Sequence, residues 1–264
     1  MTMSLTRALV QVQKKATGQT AEALETSRKL LADRRARKGD DDPEVLNLMN
    51  NYATMLQNTG DLDGAEEQFR ATLAGARRVL GEEDSRTLHV TTNLAVVYMA
   101  QNKLTEAEEL FAYVLAGVPD DPNTFDQRDQ TRGVALWNYG ATLHRLEKLD
   151  EAEAALLEAY PLLEMALGPA NRHAMSTAGE LGKVLKMLDD PARAEQAKTV
   201  FEDLLHTRRE KHGDDDPGVL AAMSNTALVL QGAGDLADAE ALFGEALTAA
   251  ERTLGDQHQL LFKS

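Results

Sequence analysis

The sequence has no cysteine, a single tryptophan, seven prolines and only 5% aromatic residues. Without cysteine there is no disulfide, no thiolate nucleophile and no cysteine-based metal site. Few aromatics beside abundant Ala, Leu and Glu leave a helix-forming vocabulary and predict an all-α fold. Cations are also in deficit, with 28 Lys and Arg against 43 Asp and Glu and a net charge of -15. That charge repels phosphate backbones and anionic lipid, so neither nucleic acid nor a membrane is the expected partner. Long apolar runs are missing as well: Leu94 to Ala100 is the longest, far short of the roughly 20 residues that cross a bilayer. The first 19 residues mix apolar and polar side chains and lack the continuous apolar core of a signal peptide. A soluble, cytoplasmic protein is the expectation.

Internal repetition is what the chain has in quantity. The segments Asn51-Tyr52-Ala53, Asn93-Leu94-Ala95, Asn138-Tyr139-Gly140, Glu180-Leu181-Gly182 and Asn225-Thr226-Ala227 begin 42, 45, 42 and 45 residues apart. At a constant offset come short turns, Gly60-Asp61-Leu62, Asn102-Lys103-Leu104, Glu147 to Leu149 and Gly234-Asp235-Leu236, and then Ala65-Glu66, Ala107-Glu108, Ala152-Glu153 and Ala239-Glu240. Each unit therefore reads as helix, tight turn, helix. The first helices carry an apolar or small stripe, as at Tyr52, Ala53 and Leu56. The second carry a small residue and then larger ones four and eight places on, as at Ala65, Phe69 and Leu73 or Ala197, Phe201 and Leu205. The small residue lets the two helices of a hairpin approach closely.

Acidic linkers join the units, among them Gly39 to Pro43, Gly81 to Asp84, Gly168-Pro169 and Gly213 to Pro217. Gly is suited to end a helix in a left-handed conformation, Asp42 or Asp216 to cap the next, and Pro43 or Pro217 to occupy its first turn. A calcium loop is the rival reading of these acidic runs, but the spaced oxygen ligands and closing Glu are missing. Pro161, midway through a second helix, predicts a kink. The two 45-residue intervals place three-residue insertions in the stretches 119–131 and 188–197.

This pattern resembles the tetratricopeptide repeat, and the 42-residue period with Gly and Asp-Pro linkers is similar to the subclass found in kinesin light chains and many bacterial regulators. The resemblance implies a single α-solenoid, a right-handed superhelix of about six hairpins. Its units would run over 1–38, 39–80, 81–118, 119–167, 168–212 and 213–255, with a C-terminal tail at 256–264.

Motifs that carry chemistry are scarce. None of the six histidines has metal-site spacing, and there is no phosphate-binding Gly-rich loop and no nucleophile elbow. Neither catalysis nor a cofactor or metal is expected. The resemblance implies instead a concave groove lined by the first helices. Counting from the anchor residues, its wall would contain Asn47, Asn50, Asn51, Thr54, Gln57 and Asn58, then His89, Thr92, Asn93 and Met99, then Val134, Trp137, Asn138, His144 and Arg145, then Lys183 and Lys186 beside Glu180, and Asn225.

In the resembling families the groove Asn contacts peptide backbone, which carries over to Asn51, Asn93, Asn138 and Asn225 but not to Glu180. The same residues also have a reading as ties between helices, and Trp137 as packing between units, with binding the preferred reading of the Asn ladder. His144, Arg145, Lys183 and Lys186 form a basic cluster in an acidic chain, suited to an acidic peptide or else balanced by nearby Glu. The expected function is a non-enzymatic interaction scaffold that holds a partner peptide or helix in the groove. The alternative is self-association through the ends or through the tail, where Leu260, Leu261 and Phe262 cluster.

Overall fold

The computed structural model describes residues 21–117 and 127–261. Among them there is no strand. There are eleven helices: α1 over 21–38, α2 Pro43–Thr59, α3 Leu62–Leu80, α4 Ser85–Ala100, α5 Leu104–Gly117, α6 Gln127–Arg145, α7 Leu149–Leu167, α8 Arg172–Leu188, α9 Pro191–His212, α10 Pro217–Ala233 and α11 Leu236–Leu261. No helix among these residues is long and apolar enough to cross a membrane.

The starts and stops follow from single residues. Asp42, Asp84, Asn171, Asp190 and Asp216 each accept a hydrogen bond from a backbone N–H of the first turn, satisfying a donor that the helix cannot. Pro43, Pro191 and Pro217 occupy first turns, where a missing N–H costs nothing. The glycines divide into two classes. Gly60 and Gly234, between the helices of a hairpin, have φ 87° and 91° with ψ near zero. Other residues reach that left-handed well at modest cost, and Asn102, Glu147 and Asp189 occupy it in the other hairpins. In the linkers, Gly81, Gly168 and Gly213 combine φ of 79–93° with ψ of 157–168°, a region that is essentially glycine's alone. This is why the linkers keep their Gly while the turns vary.

The insertion expected in 188–197 is absorbed as helix: Asp189 closes α8, Asp190 caps α9, and α9 runs to 22 residues where α3 has 19. The other insertion lies partly outside the described residues. Helix α7 continues unbroken through Pro161. Helix α11 extends to Leu261, so the stretch read as a tail is helical that far.

The chain divides into two compact units, Met1–Leu110 and Phe111–Ser264, with the division inside α5. In the first, α3 packs against both α2 and α4, and Phe69 is fully buried. Glu66, one residue after the small Ala65, is buried at this joint, where Lys103 Nζ donates to Oε2 at 2.7 Å and Arg70 also pairs with it. Arg70 Nε donates to Tyr98 Oη at 3.0 Å, and both cations lie about 5.5 Å from the Tyr98 ring centre. Burial pushes the Glu66 carboxyl upward, but the hydrogen bonds from Lys103 and Gln101 outweigh it and hold it below the usual carboxylate range.

In the second unit, α7 packs on α6 and α8, and α10 on α8, α9 and α11. Leu156, Leu163, Leu181, Tyr160 and Phe201 form its main core. Gly140 shows why a small residue recurs on the first helices: a β-carbon there would come within 2.7 Å of Leu156 and 3.3 Å of the Ala152 carbonyl oxygen. The joint after α7 repeats the ionic arrangement, with buried Glu153 accepting from Arg193 at 3.1 Å. At the joint after α9 the charges are exchanged, and Lys198 pairs with Asp235.

The two glycine classes predict different tolerances. Gly213→Ala should destabilise the protein by about 1–3 kcal/mol, the usual cost of a residue forced into a sparsely allowed conformation. Gly234→Asn should leave the melting temperature nearly unchanged, and equal losses for both would refute the distinction.

Candidate peptide-binding wall

In the first unit, α2 and α4 bring together the amides and the histidine. Asn47 and Asn51 are exposed, while Asn50 and Thr54 are half-buried, the Thr54 hydroxyl donating to the Asn50 carbonyl. Asn93 Nδ2 donates to Asn50 Oδ1 at 3.0 Å, an amide bridge across 43 residues of sequence. Each amide offers two N–H donors and one acceptor, so the bridge leaves the Asn50 amide group and the Asn93 carbonyl available. His89 is exposed, with enough protein around it to disfavour its charged form. That surrounding lowers its pKa, so the ring is neutral at pH 7 and presents one donor and one acceptor. Met99, half-buried, ends this row.

In the second unit the predicted residues meet differently. Trp137, half-buried, sets its ring edge-on to His173, with centroids 4.8 Å apart. Asn138 is buried, and its amide donates to the Val134 carbonyl of its own helix at 2.9 Å. Asn225 is wholly buried, donating to the Tyr160 hydroxyl at 3.1 Å and to the Pro169 carbonyl at 3.0 Å. The four positions of the expected Asn ladder thus divide: Asn51 and Asn93 reach the surface, and Asn138 and Asn225 are turned inward as ties.

The basic cluster has a carboxylate at its centre. Glu180, standing where the other units have Asn, accepts from His144 Nδ1 at 2.6 Å and from Lys183 Nζ at 2.8 Å, while His144 Nε2 lies 3.1 Å from the Met187 sulfur. Burial raises the Glu180 carboxyl, and the bonds from Lys183 and His144 more than offset it, leaving it below the usual range. Arg145 and Lys186 are exposed nearby. The sequence marks Glu180 as a departure from the pattern and offers balance by a nearby Glu as one reading of the cluster, without singling out Glu180. Its place beside Lys183 and Lys186 was the available signal.

A further feature was not foreseen. Helices α8 and α10 touch backbone to backbone: a β-carbon on Gly232 would lie 2.2 Å from the Gly182 carbonyl oxygen. Beside this contact opens a cleft of about 710 Å³ whose lining includes Lys183, Lys186, Asp189 and Gln231.

Two family models, both described as tetratricopeptide repeat, match residues 44–118 and 219–260. No match is found among curated proteins. Among solved structures, the chain is similar to the nearly identical TPR-like repeats of a Podosopora anserina protein named for kinesin light chain. That likeness has 19% identity, 79% of this chain and 96% of that one covered, and a TM-score of 0.61. It is also similar to BtubC (BKLC) from P. vanneervenii, at 21% identity with 90% and 91% covered and a TM-score of 0.57. At these identities the likeness establishes the fold.

The inward Asn pair makes a stability prediction. Asn225→Ala would leave the buried Tyr160 hydroxyl and Pro169 carbonyl without this donor, a loss of about 1–3 kcal/mol. Asn51→Ala, at an exposed position, should change thermal unfolding very little. Equal effects would mean that both side chains have the same role.

Proposed function

For a chain that belongs to the tetratricopeptide-repeat proteins, with hairpins of the kinesin-light-chain-like form, we infer a non-catalytic scaffold that holds an extended segment of a protein partner along the wall of α2 and α4. The fold class supports an interaction scaffold in general. The observation that carries the finer reading is the Asn50–Asn93 bridge with exposed Asn47 and Asn51 and neutral His89 around it. Such a surface donates and accepts without a preferred sign of charge, which suits a peptide backbone. Adjacent helices lie about 8–10 Å apart, close to three residues of extended chain. A bound strand would meet a new helix at every third residue.

A specifically acidic ligand has weaker support. Glu180 already engages His144 and Lys183, so two of the four cations of the cluster are turned to a carboxylate of the chain itself. The side chains of the partner would then contribute fit rather than net charge.

The test is affinity capture from native lysate, followed by titration of whatever is retained. The double variant Asn47→Ala with Asn51→Ala should keep the wild-type melting temperature and bind about tenfold more weakly, since two hydrogen bonds of about 0.5–1.5 kcal/mol each are lost. Wild-type affinity should vary little with salt. Undiminished capture by the double variant would remove the groove reading, whereas a steep fall of affinity with salt would restore the acidic-ligand form of it.

A further inference from the structure

The last helix repeats the residues of an internal joint without the joint. In α3 and α9, the aromatic residue four places after the small alanine is covered, with Phe69 at 0% and Phe201 at 1% exposure, and so is the leucine four places further on. In α11 the same two positions are Phe243, 36% exposed, and Leu247, 61% exposed, and Leu236 before them is 62% exposed. The carboxylate position is repeated too. Glu66 has Lys103 and Glu153 has Arg193, but Glu240 is exposed and has no cation beside it among the described residues. What is missing is an apolar surface that brings a cation with it.

The first described helix offers one. Across 21–38 there are six Lys and Arg against three Asp and Glu, whereas 213–253 holds eight Asp and Glu against one Arg. On α1, Ala23, Leu30 and Arg37 follow one another at seven-residue spacing, close to two helical turns, and all three are exposed. Leu30, at 43% exposure, is flanked by Lys29 and, two turns along the same face, by Arg37. Their own partners, Glu25 and Asp33, are exposed surface pairs that cost little to exchange. Two copies of α11 face to face would instead oppose Asp238, Glu240 and Glu251 to themselves.

We propose that the exposed face of α11 docks the basic α1 face of a second copy of this chain, giving head-to-tail assembly in which Leu30 packs among Leu236, Phe243 and Leu247 and a cation reaches Glu240. Such a contact is heterologous and leaves a free face at each end of the product. It is independent of the amide wall, which it neither uses nor covers by necessity.

The test is sedimentation velocity of the whole chain over a concentration series, at low and at high salt. The wild type should associate with rising concentration and about tenfold less tightly at high salt, because charge complementarity contributes. The variant Phe243→Asp with Leu247→Asp and the variant Lys29→Glu with Arg37→Glu should each sediment as monomers. Mixed in equal amounts they should form a dimer and nothing larger, since one keeps only its α1 face and the other only its α11 face. All four positions are exposed, and helical circular dichroism of each variant checks the fold. Should the Asp variant lose helix, Leu236→Lys replaces it. A wild type that stays monomeric at every concentration, an α1 variant that associates as the wild type does, or a mixture that remains monomeric would each overturn the proposal. The first of these outcomes would assign the α11 face to a different protein, and the second to a symmetric contact.

Discussion

The second helix of each hairpin is apolar on two sides, and its own partner can cover only one of them. Ala65, Ala152 and Ala197, each fully buried, allow the first helix of the same hairpin to come close. The larger residues that follow, such as Phe69 and Phe201, need the next hairpin as well. Burying a side chain of that size contributes about 1.5–3 kcal/mol, too much to forgo at joint after joint. Within each compact unit the hairpins are therefore bound to continue as a stack, and the linkers, caps and turns serve to deliver each new helix to a face that already needs it.

Apolar burial alone would let any first helix cover any second helix. Ion pairs at the joints, two of them on buried carboxylates, add selectivity. Glu66 with Lys103 and Glu153 with Arg193 have one polarity, and Lys198 with Asp235 has the other. A helix docking out of order at α9 would set half-buried Lys198 against another cation or leave it without its partner, and one docking out of order at α3 or α7 would leave the buried Glu66 or Glu153 carboxylate unpaired, which is unfavourable.

The same repeated position can serve opposite ends according to how two first helices meet. Between α2 and α4 the contact runs through side chains, Asn50 to Asn93, and polar groups are left at the surface. Between α8 and α10 it runs through backbone, with Gly182 against Gly232, and Asn225, two turns before Gly232, is enclosed. Its amide then holds Tyr160 and Pro169. Where the helices are drawn together at glycine, a residue that at Asn51 is exposed is removed from the surface.

Helix content, hairpin order and linker chemistry were legible in the sequence because they depend on local rules: Asp42 caps its own helix, Pro217 occupies its own first turn, and the spacing of Ala65, Phe69 and Leu73 marks one face. The exposure of the wall residues was not legible. Asn51 and Asn225 stand in the same motif, and their place in it does not distinguish them, since the groups that hold Asn225 inward, the Tyr160 hydroxyl and the Pro169 carbonyl, lie 65 and 56 residues earlier in the chain. The neutralisation of the basic cluster depends likewise on His144 and Glu180, 36 residues apart, meeting between neighbouring helices. Sequence by itself determined which residues could form a stack and in what order, because those preferences are carried by single turns of backbone. Tertiary structure alone decided which of the repeated polar side chains remain free to meet a partner, because that depends on the distance between helices that only packing sets.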